Sequence, residues 1–334
     1  MKIFFLLFVL LASAYGEKTL KIATYNVENL FDLQRSSHEY KEYIPYTKSN
    51  WNDINYKIKL KHIARVIKDI NADIIGLQEI ESVQALKDLR YTLKRAGLYY
   101  QYYKIANLKN TTVKVAILSK IPFIYTHEIA VTSSYRYRNI LEAKFTIDHE
   151  DLYILVNHWK SKAGPESRRI VSAKKLKKRV EELGIQKNII ALGDFNSDYE
   201  EYKIFKRKRK HNDTNGITGI NHILGTINYQ KKSEDVKVKP GEFYNLWYDT
   251  NMNERYSYIY RGKKEAMDSI LISSSLLDNK GLDYKKNSIQ SFKQPYLFKG
   301  KVINRWQTTR SRLRRHKGKG YSDHLAVIAE FVLH

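Results

Sequence analysis

Apolar residues fall into short runs that stop abruptly at polar ones, interleaved with stretches of roughly helical period. The run at residues 189–192 reads as a strand buried on both faces; it ends in Gly193-Asp194-Phe195-Asn196, with Asp194 and Asn196 two residues apart. Residues 20–25 alternate as a strand, with Leu20, Ile22 and Thr24 on one face, and deliver Asn26 and Glu28. Residues 73–79 form a second buried strand, ending in Glu79. Ile54, Ile58, Ile63, Val66 and Ile70 recur at helical spacing, a second helix spans 81–96, and Pro165 opens a basic helix to about residue 183. Further strands are expected at 99–105, 112–118, 140–147, 152–156, 256–260, 267–273 and 325–333, and a short basic helix from about residue 199. The polar segments 34–50 and 211–241 read as an exposed loop and an irregular stretch. Several neighbouring strands have no helix between them, which favours two packed sheets with helices outside over one doubly wound sheet. The polar strand ends would then meet at one rim.

Lys2, the apolar run 3–12 and Ala12-Ser13-Ala14 read as a secretory signal peptide, residues 1–16, cleaved after Ala14 or Gly16. Its apolar run is too short to remain in a bilayer, so a secreted or periplasmic protein is expected. With no internal repeat and no Pro/Gly/Ser-rich linker, residues 17–334 read as one domain, expected to be a monomer, and the sequence implies no particular protein partner. The chain has no cysteine, which excludes thiolate metal sites and a cysteine nucleophile. Fifty-nine Lys and Arg against 35 Asp and Glu leave a net charge of +24, which favours a polyanionic partner: nucleic acid or an anionic membrane surface. The excess is clustered, at 174–179 and 206–210.

Asn26, Glu28, Glu79, His158, Asp194, Asn196, Asp268, Asp323 and His324 all stand at strand ends. Each has an ordinary structural explanation, as a turn residue, a cap or a satisfied histidine. Together they meet the needs of metal-assisted phosphate-ester hydrolysis. Their many hard oxygens favour Mg²⁺, with Mn²⁺ or Ca²⁺ as substitutes, over zinc. An imidazole beside a carboxylate exchanges a proton near neutrality. No G-x-S-x-G elbow, H-E-x-x-H or Walker loop competes.

In these motifs the chain resembles the endonuclease/exonuclease/phosphatase superfamily, of DNase I-like fold. They stand in the family's order as Ala23-Thr24-Tyr25-Asn26-Val27-Glu28-Asn29, Gly76-Leu77-Gln78-Glu79, Asn157-His158, Gly193-Asp194-Phe195-Asn196, Met267-Asp268 and Ser322-Asp323-His324. The resemblance implies a four-layered αββα sandwich, two packed mixed β-sheets flanked by helices. It also implies that Glu79 is the principal metal ligand, with Asn26, Glu28 and Asp323 nearby. Asp194 would position or deprotonate the attacking water, and Asn196 would contact water and phosphate. His324 would face the phosphate with Asp268 orienting it, and His158 would stabilise charge or protonate the leaving oxygen.

Abasic-site repair enzymes of the family usually carry Tyr where this chain has His158. Its inositol phosphatases and DNase I itself usually carry Arg where it has Ser269. Sphingomyelinase-type phospholipases, the alternative reading, usually need an exposed apolar loop that is not evident here. Asn157-His158-Trp159-Lys160-Ser161-Lys162 looks most like secreted bacterial nucleases, so the expected activity is metal-dependent hydrolysis of DNA, with RNA as a second candidate, and little sequence preference. The expected nucleic-acid contacts are Lys160 and Lys162 of that motif, and Arg310, Arg312, Arg314, Arg315 and Lys317, because the acid-free run 299–319 leads directly into Asp323 and His324. Within that run Trp306 is either a base-stacking or a packing group.

Overall fold

The computed structural model describes residues 18–205 and 211–334, so the expected signal segment and the basic run 206–210 lie outside the described residues. In chain order come β1 (Thr19–Leu30), α1 (Asp53–Ile70), β2 (Ile74–Ile80), α2 (Val83–Arg95), β3 (Tyr102–Ile105), β4 (Lys114–Ser119), β5 (Phe123–Ile129), β6 (Ile140–Ile147), β7 (Glu150–His158), α3 (Ser167–Leu183), β8 (Asn188–Asp194) and α4 (Glu201–Ile204). They are followed by β9 (Tyr244–Asn245), β10 (Tyr258–Tyr260), β11 (Lys263–Glu265), β12 (Asp268–Ile272), β13 (Leu282–Tyr284), β14 (Gln290–Ser291), β15 (Phe298–Lys299), β16 (Val302–Ile303) and β17 (Val327–Leu333). The first sheet runs β13-β17-β1-β2-β4-β3, with β14 also on β17, and the second runs β5-β6-β7-β8-β12-β9. Each sheet contains one parallel pair, β1/β2 and β7/β8, whose crossover carries α1 or α3.

Side-chain parity divides the core into three layers. Leu20 and Ile22 of β1 pack between the sheets with Ile154, Val156, Ile190, Leu192, Ile270 and Ile272. The alternate residues Ala23, Tyr25 and Val27 join Ile63, Ile67 and Leu86 of α1 and α2. On the far side Leu155, Ile189 and Ala191 pack under Leu176 and Val180 of α3. The layers therefore run helices, sheet, sheet, helix: the four-layered αββα sandwich. Gly76 lets the sheets meet, since a Cβ there would stand 2.4 Å from Leu192 Cδ1. Among the described residues no helix is long and apolar enough to cross a membrane.

The structure corrects four local expectations. Ile54 is exposed, and the buried stripe of α1 instead takes in Tyr56, Lys59 and Leu60. The segment 34–50 is not simply an exposed loop: Tyr43 is buried in a 3₁₀ turn and stacks on Phe31 at 4.6 Å between ring centroids. Strand β5 is absent from the sequence reading because its side chains are mostly part-exposed at a sheet edge. Residues 256–260 contribute only β10, which pairs with β11 outside the two main sheets.

Gly193 pairs with Asn157 across β7 and β8 at φ 138°, and a Cβ there would lie 2.0 Å from the Asn157 carbonyl oxygen. Strain and overpacking should make Gly193→Ala cost about 3 kcal/mol. Gly262, also at positive φ but with nothing within 4 Å of an added Cβ, should cost only about 1 kcal/mol as Gly262→Ala. Urea unfolding of the two variants checks the contrast.

Candidate active site

Parity aims the polar strand ends. Asn26 continues the inward set of Leu20 and Ile22, His158 that of Ile154 and Val156, Asp194 that of Ile190 and Leu192, and Asp268 that of Ile270 and Ile272. All four therefore face the gap between the sheets, at one rim. Glu79 is out of phase, because Ile75 and Leu77 face the helices. It reaches the rim because the β2 register shifts between Gln78 and Ile80 and Glu79 adopts φ 66°. Glu28, Asn29 and Asn196 also hold positive φ, so backbone strain gathers at this rim.

Asn26 Nδ2 donates to Glu79 Oε1 at 3.1 Å and to Asp194 Oδ2 at 3.0 Å, and Asn29 N donates to Glu79 Oε2 at 2.9 Å. Asp194 Oδ1 accepts from Asn196 N at 2.8 Å. His158 Nε2 lies 3.5 Å from Asp194 Oδ2 and 3.8 Å from Glu79 Oε1, while its buried Nδ1 has no hydrogen-bond partner. Burial, then the charge of Arg138, pushes His158 well below the ordinary histidine value. Burial lifts Asp194 to about 7, against the pull of His324.

His324 Nδ1 lies 2.6 Å from Asp268 Oδ2, which also accepts from Ser257 Oγ at 2.6 Å. Burial opposes a charge on His324, but Asp268 and then Asp194 lift it well above its ordinary value. One imidazole is therefore held charged and the other neutral. The second cluster, Asp194–Asp268–His324, shares Asp194 with the first, Glu79–His158–Asp194; within each, the ligand atoms lie within 4.8 Å of one another. Both open into a cavity of about 600 Å³, lined also by Tyr40, Arg138, Tyr258 and Tyr260. A larger hollow of about 1050 Å³ between α1 and α2 holds none of these groups.

The remaining expected ligands are engaged otherwise. Asn26 turns its amide nitrogen, not its oxygen, to the carboxylates, because Oδ1 accepts from Glu28 N at 3.0 Å. Glu28 spends both oxygens on neighbours: Oε1 accepts from Arg305 Nε at 2.9 Å and Oε2 from Trp306 N at 3.0 Å. Asp323 Oδ2 lies 3.1 Å from Arg305 Nη2. Two acids thus close on a guanidinium, and of the four expected ligands only Glu79 stands in a cluster suited to a cation. His158 and Asp194 join it there. The set fits a divalent cation: two carboxylates, one neutral imidazole and a cavity in front of them.

The expected nucleic-acid contacts divide too. Lys162 is not free for phosphate, since Nζ pairs with Glu201 at 2.8 Å and Glu265 at 3.3 Å. Lys160 Nζ donates to the Arg136 carbonyl at 3.1 Å. Arg310, Arg312, Arg314, Arg315 and Lys317 are exposed on a loop that folds back through a Thr308–His316 bridge; none lines the cavity. Trp306 is buried, hence a packing group. The loop is anchored by His316, which lies 4.7 Å from Trp51 and 4.8 Å from Tyr43 between ring centroids. Arg138, Tyr40 and the Arg305 bridge were not singled out from sequence; the interleaved Tyr135-Arg136-Tyr137-Arg138 was the one available signal.

Residues 21–332 match the Endonuclease/Exonuclease/phosphatase family. No curated protein matches the chain. Among solved structures, TDP2 from D. rerio complexed with single strand DNA product is 14% identical, with TM-score 0.58, covering 94% of this chain and 98% of that one. Truncated Caenorhabditis elegans TDP2 is 17% identical, with TM-score 0.53 and the same coverage. The Bacteroides thetaiotaomicron mannosyl-6-phosphatase Bt3783 is 14% identical, with TM-score 0.56, covering 94% of this chain and all (100%) of that one. At these identities the likeness establishes the fold.

The anchor of the basic loop should respond to acid. Trp306 Nε1 donates to His316 Nδ1 at 2.8 Å and an indole nitrogen cannot accept, so Nδ1 is unprotonated and Nε2–H donates to the Glu42 carbonyl at 2.8 Å. Burial likewise pushes His316 below its ordinary value. The unfolded chain then binds the extra proton first, so the contribution of His316 is complete above about pH 6.5 and is lost as pH falls below it. Urea midpoints at pH 8 and pH 5 should show a larger acid-side loss in the wild type than in His316→Gln, the difference being the contribution of His316.

Proposed function

This chain belongs to the Endonuclease/Exonuclease/phosphatase family, and on that premise we propose that it is an exported, divalent-metal-dependent phosphodiesterase that hydrolyses nucleic acid with little sequence preference. Members of the family are phosphoester hydrolases that use divalent metals. The observation that carries the reading is the pair of clusters sharing Asp194 on the wall of one cavity. The nucleic-acid part rests on the +24 charge and the exposed arginines of the 307–319 loop. The structure of D. rerio TDP2 with a single strand DNA product supports the same substrate class.

Asp194 is the proton acceptor for the attacking water: Asn196 N fixes Oδ1, and Oδ2 faces His158 and Asn26. A carboxylate lifted to about 7 takes a proton readily near neutrality. His324 enters charged and His158 neutral, so of the two only His324 has a proton to give to the leaving oxygen. Asp268 holds it by Nδ1, which leaves Nε2 for that transfer. Glu79, with His158 and Asp194 beside it, would hold the cation, which when bound offsets negative charge on the phosphate oxygens. A second reading, hydrolysis of a small phosphomonoester, is favoured by the enclosing cavity and by the fold shared with the mannosyl-6-phosphatase. Assaying plasmid DNA, RNA and a sugar phosphate side by side separates the two.

His324→Gln and Asp194→Asn should each lower kcat on DNA by about 10²–10⁴-fold with the circular dichroism unchanged. Glu79→Gln should raise the Mg²⁺ needed for half-maximal rate, and EDTA should abolish turnover until Mg²⁺ is restored. Full activity after metal stripping would end the metal reading.

Replacing Arg312, Arg314 and Arg315 with Gln should flatten the log–log salt dependence of DNA affinity by about 0.9 for each phosphate contact removed. Hydrolysis of bis(p-nitrophenyl) phosphate should change little. An unchanged slope would move the contact to another basic surface, with α3 the next candidate.

A further inference from the structure

Helix α1 lies behind the first sheet, away from the cavity, yet three of its residues reach the segment leading into His324. Lys59 is fully buried, and Nζ donates to the Tyr321 carbonyl at 3.0 Å. His62, one turn on, lies with Nδ1 2.6 Å from the Gly320 carbonyl, which can only accept, so Nδ1 carries the proton. Its ring lies 4.8 Å from that of Tyr321, tilted by 25°. Arg65 Nη1 donates to Tyr321 OH at 3.2 Å. The three stand at i, i+3 and i+6, so they form one ridge along the helix.

From the other side Tyr321 N donates to the Asn304 carbonyl at 2.7 Å, and a Cβ on Gly320 would lie 1.8 Å from the Arg305 carbonyl oxygen. Gly320–Tyr321 is thus gripped between α1 and the residues that carry Arg305. Past the grip, Ser322 Oγ donates to the Asn26 carbonyl at 2.7 Å and accepts from His324 N at 3.1 Å. Asp323 meets Arg305, and His324 meets Asp268. A displaced Tyr321 carbonyl would shift the Ser322–His324 turn relative to Asn26 and Asp268. Burying an ammonium against a backbone carbonyl costs stability, and burial pushes Lys59 down to about 8 although Glu28, Asp323 and Glu79 pull the other way. Packing alone would be served as well by an apolar side chain.

We propose that Lys59 and His62 of α1 are positioning residues for His324, setting from behind the sheet the register of the turn that presents the imidazole to Asp268 and the scissile phosphate. The proposal rests on the phosphodiesterase reading for the role of His324. The test uses Lys59→Met, which keeps length and removes the donor, His62→Ala, which removes the second donor, and His62→Asn, whose amide nitrogen falls where Nδ1 lies. The readouts are kcat and KM on bis(p-nitrophenyl) phosphate with Mg²⁺, the melting temperature, and the low-field proton resonance of the His324–Asp268 hydrogen bond. Lys59→Met should lower kcat by about 10- to 100-fold with KM unchanged and should move the resonance. His62→Ala should act in the same direction, and His62→Asn should restore the wild-type values.

A folded Lys59→Met protein with wild-type kcat and an unmoved resonance overturns the proposal. If Lys59→Met does not fold, the His62 pair decides, and a loss in His62→Ala that Asn fails to restore overturns it equally. The resonance is read without substrate. A wild-type protein that hydrolyses no phosphodiester would therefore remove the functional reading, and the resonance shift alone would then decide whether α1 positions the imidazole.

Discussion

A single amide group, Asn26 Nδ2, joins the two sheets at the rim where the polar strand ends meet. It donates to Glu79 of its own sheet and to Asp194 of the other. Hydrogen bonds to charged groups contribute about 1.5–3 kcal/mol each and offset part of the larger cost of holding two carboxylates together away from water. The apolar side chains between the sheets set spacing but not direction; direction at the rim comes from this amide together with the His158–Glu79 approach and the His324–Asp268 pair. Placing the amide there takes strand parity in β1, a fixed orientation from Glu28 N and a strained bulge in β2 that swings Glu79 inward.

Charge balance around the rim follows. Glu28 and Asp323 are neutralised from one side by Arg305, with Lys59 buried beneath, while Asp268 and His324 form a closed pair on the other. The two histidines occupy similarly dry surroundings yet settle in opposite charge states. His324 faces a carboxylate through Nδ1, whereas His158 has no partner on that nitrogen and Arg138 nearby. Burial disfavours the charge on both, and the Asp268 carboxylate outweighs it at His324.

Much of this was legible in the sequence. The buried run ending in Asp194, the run beginning at Asp268 and the strand entering Asn157-His158 predicted both the packed sheets and the convergence, because a period of two carries straight through to the polar residue at either end. What the period of two could not supply were the positions where it breaks. Glu79 reaches the rim only through a bulge, and Asn196, at φ 48°, leaves the line of Asp194 that alternation implied. The partners of Glu28, Asp323 and Lys162 were equally hidden. An ion pair between residues 28 and 305 has no local signature, and a lysine next to a motif looks the same whether it faces phosphate or a buried glutamate.

On one side of β1 in the first sheet lies β17, with Thr19 opposite Val332. The earliest and latest described strands thus lie side by side, and His324 enters just ahead of the latter. A ribosome releases residues in order, so a nascent chain carries Asn26, Glu79 and Asp194 long before it possesses either His324 or the strand that would seat it. The site cannot assemble piecemeal, and long-range pairing of this kind is slow to form. A site built this way stays incomplete until residue 324 and the strand that follows it have emerged and paired with β1.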